Sequence, residues 1–156
     1  MSPLDAGTDW RVYRNQLFEI RYPGAANVTG AGEDSVLMRL PFPRGSTLID
    51  KRVRILTTTS TPERCLAPGG PLIVASSSVQ LNGILFQRVV REEFQVGSQS
   101  DVEDYSTMRG DHCVRLEFIL QSVNPERFAS SPPPAFDKVM EAGVFTQMLS
   151  TFRFVR

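Results

Sequence analysis

Aromatic motifs bracket this chain, and they constrain its fold more than any other feature. Residues 10–15 read WRVYRN and lead into an aromatic strand pattern, FEIRYP, at residues 18–23. At the other end, residues 145–154 read FTQMLSTFRF. Large aromatic side chains at the ends of elements usually belong to a core. One core is therefore expected to join both ends, with a single domain at residues 10–156 and a flexible lead-in at residues 1–9.

Charge and hydropathy argue against a nucleic-acid partner and against a membrane-spanning segment. The chain of 156 residues carries 17 Lys+Arg and 17 Asp+Glu, and neither sign forms a block. A nucleic-acid partner is not expected, because such proteins concentrate positive charge on one face. The longest apolar run, residues 72–75, is far shorter than the roughly 20 residues of a membrane-spanning helix. No membrane-spanning segment is expected either.

Alternation of apolar and polar residues predicts a mainly antiparallel sheet. The pattern is most regular at residues 51–59, where Val53 and Ile55 share one face. Asn82-Gly83 favours a two-residue hairpin turn, because both residues readily adopt positive φ. Strands are predicted for residues 17–22, 36–42, 51–59, 79–90, 102–108 and 113–123.

The period changes near the C-terminus. Apolar residues recur at helical spacing from Met140 to Phe152, after serines and prolines that suit a helix start. Glu141 interrupts this apolar stripe. A helix over about 136–149 is predicted to dock on the sheet, which gives an α+β fold class.

Five short motifs carry a family resemblance: W-x-x-Y-x-N at 10–15, Y-P at 22–23, N-G-I-x-F at 82–86, Y-S-T at 105–107 and M-L-S-T-F-x-F at 148–154. Together they resemble exported bacterial proteins of the PsbP/Mog1-like fold. The resemblance implies an α/β/α sandwich with a mainly antiparallel sheet and a C-terminal helix packed on it. It also implies secretion or lipoprotein tethering, and a binding or accessory role, as in PsbP, which supports photosystem II, and Mog1, which binds a small GTPase.

The shared motifs occupy core and strand-end positions, so no functional residue transfers from the family. Four aromatic residues in them are interpreted as core rather than as a ligand groove: Trp10, Tyr13, Phe152 and Phe154.

Cys65 and Cys113 are the only cysteines, and His112 is the only histidine. These three residues cannot complete the usual four-ligand zinc set, so no metal or cofactor is expected. An exported protein favours a disulfide between the two cysteines, whereas a cytosolic protein would keep two inert thiols. The expected location is extracytoplasmic, either secreted, periplasmic or membrane-tethered, which leaves room for a lipid anchor upstream of residue 1.

Asp111-His112-Cys113 places three residues of catalytic type side by side. In an extended chain neighbouring side chains point to opposite faces, so His112 is badly placed to act as a base for Cys113. Asp111 would share the face of Cys113 and oppose its thiolate. A Ser-His-Asp triad around His112 stays open, although no Gly-x-Ser-x-Gly elbow is present. No catalytic residue is assigned, and His112 is interpreted as a turn residue beside Gly110.

Acidic residues at 92–93 and 101–104 are interpreted as a solvated face that pairs with arginines such as Arg88 and Arg91. Surface pairs of this kind are usually worth under about 1 kcal/mol. The spacing does not match a calcium loop of EF-hand type.

Two functions remain. The favoured one is a non-catalytic extracytoplasmic binding or accessory domain that holds a protein partner through surface loops at 61–71 and 96–104. The alternative is a small hydrolase or sugar-processing enzyme that uses Asp101, Glu103 or His112 in a loop cleft.

Overall fold

The computed structural model describes residues 9–30, 34–67, 73–128 and 131–156. Residues 1–8 of the expected lead-in lie outside these ranges. Besides a 3-10 turn at Pro125–Arg127, the elements are β1 (Trp10–Arg14), β2 (Phe18–Pro23), β3 (Asn27–Thr29), β4 (Ser35–Arg39), β5 (Leu48–Thr59), α1 (Pro62–Cys65), β6 (Ile73–Leu81), β7 (Ile84–Gln95), β8 (Ser98–Arg109), β9 (His112–Val123), α2 (Lys138–Ser150) and β10 (Arg153–Phe154).

Two antiparallel sheets make up most of the fold. The larger has seven strands in the order β3-β4-β5-β9-β8-β7-β6, and the smaller has three in the order β1-β2-β10. Every strand pair is antiparallel. Together with the C-terminal helix, this arrangement confirms the α+β class and the mainly antiparallel sheet.

Local turn signals were reliable guides to the hairpins. Asn82 and Gly83 adopt φ of 55° and 73° in the turn between β6 and β7, as predicted. The predicted loop at 96–104 is wrong, because β8 begins at Ser98 and pairs along its whole length with β9. Only a tight turn around Gly97, with φ of 79°, separates β7 from β8. The short strands β1 and β3 were not predicted.

One aromatic cluster joins the two sheets, as the bracketing motifs predicted. The ring of Phe152 stacks on Phe18 at 5.3 Å and meets Phe86 edge-on at 5.6 Å. All three side chains are fully buried. Trp10, Tyr13 and Phe154 are partly buried against the same cluster. The core therefore lies between the seven-stranded sheet on one side and α2 with the small sheet on the other.

Helix α2 confirms the predicted C-terminal helix, with a start two residues later than expected. Asp137 caps it by accepting a hydrogen bond from the Met140 N–H at 3.1 Å. Glu141, which interrupts the apolar stripe, is buried beside Lys51 of β5, with 3.6 Å between Oε2 and Nζ. Burial lowers the pKa of Lys51, and Glu141 partly offsets that effect. An ion pair across the core thus explains the interruption.

We expect Met148→Asp to lower the free energy of unfolding severely, by roughly 3 kcal/mol or more, because it places a carboxylate in an apolar interface. Met148 is fully buried. Met140→Asp is the matched control, since Met140 lies on the same helix but is 50% exposed, which makes its assignment to the apolar stripe wrong. Thermal and denaturant unfolding measure both variants. Equal stability of the two would show that the predicted stripe does not face the core.

Candidate functional site

The seven-stranded sheet has a second face, opposite α2, which we call the open face. Cross-strand pairing between β5, β9, β8 and β7 places its central side chains in three rungs. The rungs are Leu56-Arg115-Ser106-Gln87, Arg54-Glu117-Asp104-Val89 and Arg52-Ile119-Val102-Arg91.

A cleft of about 490 Å³ lies over these rungs. Three further residues complete its lining: Glu93 of β7, Arg64 of α1, and Ala67 just after α1. Among the described residues the lining holds five arginines and three carboxylates, and Asp50, outside the lining, pairs with Arg52 at 2.6 Å. The cleft therefore keeps a net positive charge when all of these groups are ionised. Local charge is thus concentrated here although the whole chain is neutral.

The centre of the cleft holds two carboxylates side by side. Asp104 and Glu117 are direct cross-strand partners, and they are only 6% and 5% exposed. Like charges in this position repel each other. Arg91 bridges them, with Nη2 2.8 Å from Asp104 Oδ2 and 3.4 Å from Glu117 Oε2. Arg54 pairs with the other Glu117 oxygen at 2.7 Å.

Asp104 is less well satisfied than Glu117. Burial, together with the neighbouring Glu117, raises the pKa of Asp104 to about 6 against the opposing effects of Arg91 and Arg115. The Oδ1 atom is buried and accepts no hydrogen bond from any residue in the described ranges. Buried polar atoms in proteins are nearly always hydrogen-bonded, so this oxygen marks a position where a donor is missing.

Two arginines of the cleft have unused capacity. Arg115 donates through Nε to the Ser106 hydroxyl at 3.2 Å, and Arg64 is exposed. Neither forms an ion pair with a carboxylate of the part of the chain that the structure describes. Guanidinium groups bind carboxylates and phosphates through paired hydrogen bonds. The guanidinium groups of the cleft can therefore donate hydrogen bonds to a bound anion, while Asp104 accepts a hydrogen bond from a donor group.

A disulfide fixes α1 beside the cleft. Cys65 and Cys113 are bonded, with Cα atoms 5.7 Å apart, and both are buried. This confirms the predicted pair and leaves no free thiol for a cysteine nucleophile. Thr61 caps α1 by accepting from the Arg64 N–H at 3.4 Å. Of the predicted loop at 61–71, residues 68–71 lie outside the described ranges.

The residues proposed for catalysis are not brought together. Asp101 and Glu103 lie in β8 rather than in a loop, on the α2 side of the sheet, where they pair with Lys138 at 3.2 Å and Arg88 at 2.7 Å. His112 pairs with Arg109 at the far end of the hairpin, whereas Asp101 pairs with Leu120. Eight residues of strand separate those positions, or about 27 Å.

His112 lies in a different environment from the cleft. Its side chain is half exposed, 3.6 Å from Asp111, and lines a separate groove with Asp34 and Thr57. The interpretation of 101–104 as a solvated acidic face is wrong for Asp104, which is buried.

The described residues contain neither a candidate membrane-spanning helix nor a cluster of potential metal ligands. No helix within the described ranges is long and apolar enough to cross a membrane. No cluster of three or more potential metal ligands occurs among the same residues.

Removing the disulfide should lower the free energy of unfolding, because the unfolded chain gains conformational entropy. The two cysteines are 48 residues apart, and closing a loop of that length contributes roughly 4 kcal/mol by the chain-entropy model. We expect the double variant Cys65→Ala, Cys113→Ala to lose about 2–5 kcal/mol of unfolding free energy. Alkylation of the denatured wild type without reductant is the companion test, and labelling of both cysteines would contradict the disulfide.

Asp104→Asn should change how stability depends on pH. An aspartate whose folded pKa is about 6 against 3.8 unfolded contributes stability below about pH 4 that is lost as pH rises through 6. The asparagine does not titrate, so wild-type stability should fall relative to the variant by roughly 2 kcal/mol between pH 4 and pH 7. Denaturant unfolding at several pH values measures the difference. If wild-type stability stayed constant or rose relative to the variant between pH 4 and pH 7, burial would not raise the pKa of Asp104.

Comparison with known proteins adds information about the fold alone. No family model matches the chain, and no curated protein matches it. A crystal structure of a protein from Bacteroides thetaiotaomicron VPI-5482 is similar, with a TM-score of 0.56 and 15% sequence identity. The similarity covers 89% of this chain and 45% of that chain, so this chain spans about half the length of that protein.

Proposed function

We propose that this chain is a non-catalytic binding or accessory domain that acts outside the cytoplasm and holds a protein partner at the open face of its large sheet. The observation that carries the proposal is the cleft, in which four strands and a disulfide hold charged side chains in place. Side chains fixed in advance lose little entropy on binding, which favours affinity.

The extracytoplasmic location rests on the disulfide and on the family resemblance. Buried disulfides such as Cys65–Cys113 are typical of oxidising compartments. The PsbP/Mog1-like assignment is also part of this proposal. It is supported by the mainly antiparallel sheet, the C-terminal helix and the aromatic cluster that joins the terminal motifs. The second helical layer of the implied α/β/α sandwich does not appear in the described residues, because only the four-residue α1 lies at the open face.

The contact surface differs from the two loops expected from the sequence. Residues 98–104 are paired strand and have no loop freedom. Residues 61–67 still fit the expectation, because Arg64 and Ala67 border the cleft. Arg64 and Arg115 offer guanidinium groups to acidic side chains of a partner, and complementary charges of this kind speed association and select partners.

The enzymatic alternative finds no support in the geometry of its residues. Asp101 and Glu103 are each engaged by a cation, and His112 lies at the other end of the hairpin. Cys113 is in a disulfide. A binding role therefore fits the described side chains better than acid-base or nucleophilic catalysis.

Site-specific photo-crosslinking tests the proposal. A photoreactive amino acid at position 64 samples the cleft rim, and the same residue at position 139 is the control, because Val139 is 85% exposed on α2 at the opposite side of the sheet. In the extracytoplasmic fraction of the source cell, we expect one protein adduct at position 64 that position 139 does not give. Arg54→Glu with Arg115→Glu should reduce that adduct severalfold.

Two results would contradict the proposed function. Equal adducts at both positions would remove the case for the open face. Hydrolysis of a glycoside or ester panel that is lost in folded His112→Ala or Asp101→Asn protein would favour the enzyme instead.

A further inference from the structure

We propose that the centre of the open-face cleft is a binding site for a small anionic sugar, that is, a hydroxyl-bearing ring with a carboxylate or phosphate group. The site uses the same surface as the proposed function but does not require a protein partner. Three features of the cleft define the ligand. They are a carboxylate oxygen that accepts no hydrogen bond from the described residues, arginines that form no ion pair, and hydrophobic side chains in the lining.

The first feature is Asp104. Its Oδ2 atom already accepts from Arg91, with Nε at 3.0 Å and Nη2 at 2.8 Å. Its Oδ1 atom is buried and has no hydrogen-bond donor among the residues that the structure describes. Leaving such an acceptor unsatisfied is costly, so a ligand that supplies an O–H or N–H at this point gains an interaction that the protein alone does not make.

The second feature is the excess of cations. Arg115 occupies the rung next to Asp104, with Ser106 as its cross-strand neighbour and hydrogen-bond acceptor. The described lining holds five arginines against three carboxylates, and Asp50 offsets Arg52 from outside the lining. The remaining positive charge still favours a ligand of net negative charge over a neutral or cationic one. A carboxylate or phosphate also matches the paired donors of a guanidinium group.

The charge excess also decides between the two kinds of donor. An ammonium group near Asp104 would add positive charge to a cleft whose net charge is already positive. A hydroxyl group supplies the same hydrogen bond without charge. The ligand should therefore carry hydroxyl groups beside its anionic group.

The third feature is the apolar part of the lining. Four hydrophobic side chains line the cleft, and of these only Leu56 is more than 7% exposed: Leu56, Val89, Val102 and Ile119. A sugar ring has apolar C–H faces as well as polar edges, so one such face can contact Leu56 while the polar edges face the charged groups. The volume of about 490 Å³ lies within the usual range of ligand pockets, about 300–1,000 Å³.

Titration calorimetry with four defined probes tests the site. Glucuronate and glucose 6-phosphate carry both features, glucose carries only hydroxyl groups, and acetate carries only charge. We expect one or both anionic sugars to bind at least about tenfold more tightly than glucose and acetate, which corresponds to about 1.4 kcal/mol. The ratio between the two anionic sugars identifies whether the anion is a carboxylate or a phosphate.

Variants locate the binding. Arg115→Gln and Asp104→Ala should each weaken binding of the preferred sugar by about tenfold or more. Arg21→Gln is the matched control, because Arg21 is an exposed arginine of the small sheet and should leave binding unchanged. If Asp104→Ala fails to fold, Arg115→Gln keeps the test decisive.

Three outcomes would overturn the inference: no binding of either anionic sugar at millimolar concentration, acetate binding as tightly as the sugars, or full affinity in folded Arg115→Gln protein. The second outcome would indicate unspecific pairing of anions with arginine only. A position-64 crosslink without sugar binding would keep the proposed function and reject this site. Sugar binding without a position-64 crosslink would keep this site and reject the proposed protein-binding function.

Discussion

Strand β9 is the element on which both faces of this protein depend. It pairs along its length with β5 on one side and β8 on the other, and most of its residues are buried. Leu116 and Phe118 enter the core, while Glu117 between them points to the open face. Because strand side chains alternate, a register slip of one residue would exchange these faces. The aromatic core therefore also fixes the position of the charged rungs.

Buried charge occurs on both sides of the sheet, and on each side one buried carboxylate oxygen accepts no hydrogen bond from the described residues. On the core side, Lys51 and Glu141 form an ion pair that links β5 to α2. On the open side, Asp104 and Glu117 share Arg91, and one Asp104 oxygen stays without a donor among the described residues. Removing one partner of a buried pair is costly, and such pairs specify geometry more than they add stability. The Oε2 atom of Glu141 also accepts no hydrogen bond from the described residues, although Lys51 lies 3.6 Å from it. Only Asp104 lines an open cleft, and a departure from local consistency there is of the kind expected at a binding site.

Local signals in the sequence predicted the longer strands and the C-terminal helix, whereas the short elements and the pairing between strands had no clear local signal. Asn82-Gly83 predicted its hairpin because the turn chemistry is contained in two residues. The loop prediction at 96–104 was wrong. It was based on serine and acidic residues, which are common in loops but here alternate between the two faces of β8. Alternation also predicts that Glu117 faces away from the core, but not which residue lies beside it. The pairing of Glu117 with Asp104 depends on strand order, which no local pattern contains.

The disulfide makes the geometry of the cleft rim depend on the redox state of two cysteines. Helix α1 has four residues, too few to be stable as an isolated helix. It is held by the Thr61 cap and by the bond from Cys65 to Cys113, on the same strand that carries Arg115 and Glu117. Reduction would release α1, and with it Arg64, while the sheet ladder would still hold the three rungs. The cleft therefore has a rigid floor set by strand pairing and a rim whose position depends on an oxidised cysteine pair.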